Sequence, residues 1–174
     1  QGESTRSGNY GWFLILVGRP RRAIATLERA LKLSQSLGFK LQAAVQTDNV
    51  GLAHDSLSEY PLAREYHQKA LNMLEADAPL YWRHSIMINL ANTLLSLNEL
   101  DQARTLIDQV LTYARGAESS EMLVRALTAQ GRLAMLEDKP SDAKTLLEEG
   151  ISHARRLEVR RLLADLLYLY SQLK

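Results

Sequence analysis

The chain has 174 residues, with 21 Lys and Arg against 20 Asp and Glu, a net charge of +1. That near-balance argues against a general polyanion binder, and 46% hydrophobic with 24% charged residues argues against a disordered chain. Cysteine is absent, which excludes disulfides, thiolate chemistry and zinc-thiolate sites and fits a reducing, cytoplasmic compartment.

The spacing of apolar residues predicts helices throughout, and no window shows strand alternation. In chain order they are expected near 2–17, 20–37, 41–57, 61–76, 80–97, 100–115, 119–137, 140–156 and 159–173. Arg21 to Leu33 shows the pattern, with Ala23, Ile24, Leu27, Ala30 and Leu31 on one helical face. Turn signals separate alternate helices at Gly18-Arg19-Pro20, Glu59-Tyr60-Pro61, Asn98-Glu99 and Asp138-Lys139-Pro140. Proline suits a first helical turn, where its missing N–H would have no partner. Gly38, Pro79 and Gly116 mark the breaks between helix pairs. The most apolar stretch, Leu162 to Tyr170, is interrupted by Asp165, so no membrane span is expected. The chain starts at Gln1 without a signal peptide and reads as a piece of a larger protein.

The chain repeats. A shift of 40 residues aligns Gly11, Gly51, Ala91 and Gly131 in one column. Ala23, Ala63, Ala103 and Ala143 form a second, and Ala30, Ala70, Val110 and Gly150 a third. Leu31, Leu71, Leu111 and Ile151 follow. The expected organisation is one repeat domain over 1–174, with units 1–40, 41–80, 81–120, 121–160 and a partial fifth at 161–174. Small side chains on one helix face let the neighbouring helix approach closely. The same demand every 40 residues should stack equal helix pairs into an all-α solenoid.

The pattern in Gly11-Trp12-Phe13-Leu14 with Ala23 to Leu31, and in Asn49 to His54 with Ala63 to Leu71, resembles the tetratricopeptide repeat. The resemblance covers the whole chain as a right-handed, long-helix variant with four repeats and one terminal helix. Its 40-residue form is similar to arrays in bacterial signalling ATPases, LuxR-type and peptide-sensing regulators, kinesin light chain and polarity adaptors. Two features depart from it: the aromatic expected at the column of Leu14, His54, Leu94 and Ala134 is missing, and only Pro79 matches the terminal proline.

The resemblance implies a non-catalytic receptor for a protein or an extended peptide, built into a larger regulator and needing no cofactor. The other reading is a module that binds a small effector or its neighbouring domains and gates an attached DNA-binding or ATPase domain. It also implies that the first helix of each unit lines a concave groove. One groove column reads Asn9, Asn49, Asn89 and Ala129, and the column three residues on reads Trp12, Leu52, Asn92 and Arg132. An Asn amide offers two donors and an acceptor, enough to pair with both groups of a peptide bond. Asp48 joins these, and Arg125 with Arg132 could hold a carboxylate or phosphate of the partner. The bland alternative is that the asparagines bond to backbone or water and the arginines to neighbouring acids.

Other chemistry finds little support. His54 and His67 could approach each other near Asp55, without any metal-ligand spacing. His84 and His153 are isolated, and no phosphate-cradling loop or nucleophile motif occurs. The clusters Arg19, Arg21, Arg22 and Arg155, Arg156, Arg160, Arg161 read as solvated turn residues, so no direct nucleic-acid contact is expected. The last helix is apolar around most of its girth, and self-association through it is expected.

Overall fold

The computed structural model describes residues 2–116 and 120–173. Among these there are nine helices and no strand. They are α1 (Gly2–Leu16), α2 (Pro20–Ser36), α3 (Lys40–Asp55), α4 (Tyr60–Met73), α5 (Leu80–Ser96), α6 (Leu100–Gly116), α7 (Ser120–Leu136), α8 (Pro140–Arg156) and α9 (Arg160–Ser171). Gly116 closes α6 and does not lie beyond it. The expected start of the seventh helix at 119, and the outer limits of the array at Gln1 and Lys174, lie outside the described residues.

The helices form two compact units, Gln1–Leu97 and Asn98–Lys174. In the first, α1 packs on α2 and α3 on α4; α2 and α4 each pack on the helix that follows, and α1, α3 and α5 lie side by side. In the second, α7 packs on α6 and α8, α8 packs on α9, and α7 touches α9.

The small-residue columns are the contact surfaces. An added Cβ at Gly11 would come within 2.5 Å of the Leu27 side chain, and one at Gly131 within 2.7 Å of Leu147. Ala23, Ala63, Ala103 and Ala143 are all completely buried. Leu27 and Leu147 are fully buried because the glycine opposite each offers no side chain, and Ile107 of the same 40-residue column is fully buried too.

Each turn within a helix pair has a left-handed residue at the same register: Gly18, Ser58, Asn98 and Asp138, with φ between 57° and 71°. Gly38 and Glu158 do the same between pairs. The next N–H then reaches back to a carbonyl of the last helical turn, as Arg19 does to Leu14 at 2.8 Å and Val159 to Ala154 at 3.1 Å. Only glycine adopts this conformation without steric cost. Glu158→Gly is therefore expected to stabilise the chain by about 1 kcal/mol, read as a higher urea midpoint with unchanged slope; an unchanged or lower midpoint would contradict it.

Candidate functional site

The surface expected to bind is the side of α1, α3 and α5 opposite α2 and α4. Helical register places Asn9 and Trp12 on it from α1, Asn49 from α3 and Asn92 from α5. Trp12 is 43% exposed. Asn9 is exposed and Asn49 half-buried, and neither amide makes a hydrogen bond among the described residues. The Asn92 amide donates to the Ile88 carbonyl of its own helix at 2.9 Å.

Asp48 and Asn89 have a different role. Asp48 is 7% and Asn89 8% exposed, and the Asn89 amide donates to Asp48 Oδ2 at 2.8 Å. They sit in the joint between α3 and α5, where each satisfies the other.

Asp48 also belongs to a larger buried network. His67 of α4 is completely buried. Its Nδ1–H donates to Asp48 Oδ1 at 2.6 Å and its Nε2–H to Asp55 Oδ2 at 3.0 Å. Asp48 and Asp55 are seven residues apart on α3, two turns along one face, so one carboxylate reaches each side of the ring. The Thr93 hydroxyl of α5 donates to Asp55 at 2.9 Å. Gly51, between the aspartates, makes the space: a Cβ there would lie 2.7 Å from the ring. Burial pushes the imidazole pKa down, but the hydrogen bonds to Asp48 and Asp55 and their charges outweigh it and raise it to about 9. His67 is an imidazolium at neutral pH and ties α3, α4 and α5 together.

That geometry does not suit a metal. The two carboxylates approach opposite nitrogens of one ring, so the imidazole occupies the centre an ion would need. Among the described residues no group of three or more His, Asp or Glu could hold an ion. His54 is engaged elsewhere, stacked on Tyr66 with centroids 5.2 Å apart and bonded through Nδ1 to Glu59 at 2.6 Å.

The second unit carries Arg125 and Arg132 on α7. Both are half-buried and both already have interaction partners. Nearby, Glu137 accepts from Lys139 and from Arg104 of α6, and these two cations hold its carboxyl below the usual range. On α9, Leu162 and Leu166 are buried, while Leu167 and Tyr168 are exposed. No helix among the described residues is long and apolar enough to cross a membrane.

Asp48 and Asn89, expected on the groove, and Thr93, for which the sequence gives no role, all belong to this buried network. The available signal was a triple departure within one repeat. His67 stands in the column of Leu27, Ile107 and Leu147; Asp48 stands opposite Ile88, and Asp55 opposite Ile15, Leu95 and Met135.

Residues 85–117 match the tetratricopeptide repeat family. No curated protein sequence matches the chain. Among solved structures it is similar to the nearly identical TPR-like repeats of a protein from Podosopora anserina designated a kinesin light chain. The TM-score is 0.68 at 16% identity, over 97% of this chain and 86% of that one. At that identity the likeness establishes the fold alone. Repeats of this kind generally mediate contacts between proteins and are typically non-catalytic.

Proposed function

We propose that the chain, an all-α solenoid in which residues 85–117 match the tetratricopeptide repeat family, binds an extended peptide of a partner protein without catalysing a reaction. The receptor is the concave side formed by α1, α3 and α5. The observation that carries this reading is the pair of unengaged amides, Asn9 and Asn49, at the same register of successive repeats. An amide without an internal partner can donate to a peptide carbonyl and accept from its N–H at no cost to the fold. Trp12 lies one turn on from Asn9 and supplies an aromatic anchor of the kind that dominates peptide interfaces. Asp48 and Asn89 support the floor and do not touch the ligand. The forty-residue spacing supports a place as the interaction module of a larger regulator, and the exposed Leu167 and Tyr168 of α9 supply a surface for self-association.

Asn9→Ala combined with Asn49→Ala is expected to weaken capture of the partner roughly tenfold or more, at about 1 kcal/mol per lost hydrogen bond. Helix content and the urea midpoint should stay within error. The measurement is an affinity pull-down from the source cell followed by titration of the captured peptide. Undiminished capture by the double variant would remove this surface from the account.

A further inference from the structure

Gln46 of α3 departs from its column. Its equivalents in the next two repeats are Ile86 and Ala126, both apolar and buried. Gln46 is only 5% exposed, and its Oε1 is shut off from solvent without a hydrogen-bond partner among the described residues. An oxygen buried unbonded lowers stability, which an apolar side chain in the same place would not do. The amide lies against Gly8 of α1, where an added Cβ would overlap it. Gly8 thus admits Gln46 to the joint between α1 and α3. It also decides the state of Asn49. In the next joint the residue at the register of Gly8 is Asp48, whose carboxylate engages Asn89. Gly8 offers no carboxylate, and Asn49, the equivalent of Asn89, keeps its amide unengaged. Asn9 follows Gly8 directly, and Asn49 lies one turn on from Gln46. Asn9, Gln46 and Asn49 therefore line one joint, none of their amides bonded among the described residues.

On the peptide-binding reading of the concave side, on which this rests, we propose that Gln46 is a further ligand-binding residue. Its side chain turns out of the α1–α3 joint towards Asn9 and Asn49, and its Oε1 accepts from a backbone N–H of the extended peptide. The oxygen finds no donor within the described residues, and a peptide N–H is the donor that the ligand supplies. Contact alone holds the amide against Gly8, so no hydrogen bond has to break before it moves. Ile86 and Ala126 show that the column packs without a polar group, which leaves the amide of Gln46 for recognition.

The probe is a capped oligoglycine amide, a peptide backbone without side chains, titrated into the isotope-labelled full chain. The side-chain amide resonances of Asn9, Gln46 and Asn49 are followed, and all are expected to shift along one saturation curve. Gln46→Leu should weaken the probe about fivefold or more. The same variant should raise the urea midpoint, because leucine fills the joint without an unbonded oxygen. A residue with a structural role alone would not gain stability and lose affinity in one substitution. Shifts at Asn9 and Asn49 with Gln46 silent would overturn the proposal and leave the concave surface standing as the receptor. Unchanged affinity in Gln46→Leu would overturn it as well. So would a lowered urea midpoint, by showing that the amide is bonded in the free protein. A probe that moves none of these resonances would remove the concave surface itself, and Gln46 with it.

Discussion

His67→Leu is expected to destabilise the chain by about 3–5 kcal/mol, although leucine is the residue that the first and fourth repeats use at this register. The ring is completely buried and neutralises two carboxylates, at 2.6 Å and 3.0 Å. Its removal leaves Asp48 inside the protein with one amide for company and Asp55 with one hydroxyl. The loss therefore comes from stranded anions and not from poor packing. The same reasoning predicts the rescue. Asp48→Ile and Asp55→Leu, added to His67→Leu, install the side chains that the third repeat uses at the two aspartate columns, Ile88 and Leu95. The triple variant should recover most of the lost stability, since well-packed apolar residues replace buried ion pairs at little or no cost. Urea unfolding of the single and triple variants measures both effects. A triple variant as unstable as His67→Leu would mean that the network shapes the joint in a way apolar packing cannot.

The second large effect is alkaline. The folded imidazole titrates at about 9, above its ordinary value of 6.5. Between those values the native state holds a proton that the unfolded chain releases. Stability from this group is thus fully present below about pH 6.5 and is lost as the pH rises through about 9. The difference corresponds to roughly 3 kcal/mol, not reduced by solvent screening because the ring is buried. The groups facing the ring are Asp48 and Asp55 on α3, with Asn89 and Thr93 of α5 behind them. Urea midpoints should fall across pH 6.5 to 9, and the triple apolar variant should be flat over the same range. A wild-type profile without slope there would show that the ring is neutral in the folded state.

The two expectations share a lesson about the joint between the second and third repeats. At the same register Gly11 faces Leu27 and Gly131 faces Leu147, and those contacts are indifferent to pH. Here Gly51 faces a cation. An ion pair network requires particular partners at particular distances, so it specifies one register of α3, α4 and α5 more strictly than leucines would. It also uses Asp48 and Asn89, whereas the Asn9 and Asn49 amides make no hydrogen bond among the described residues.

The repeat family resemblance and the helical class were legible from the one-dimensional pattern. The reason is that close helix packing is a local demand: Gly11, Gly51 and Gly131 must be small whatever else surrounds them. The turn positions were legible for a similar reason, except that Ser58, Asp138 and Glu158 adopt left-handed backbone without glycine's sequence signal. The roles of the polar residues were not legible. Asn49 and Asn89 occupy the same column, yet the first is half-buried and unengaged and the second is buried and bonded. Asparagine offers the same donors and acceptor in either place, and what it does with them depends on whether a carboxylate from the neighbouring helix arrives within bonding distance. Asp48 arrives at Asn89, and only the packing of α3 against α5 brings it there.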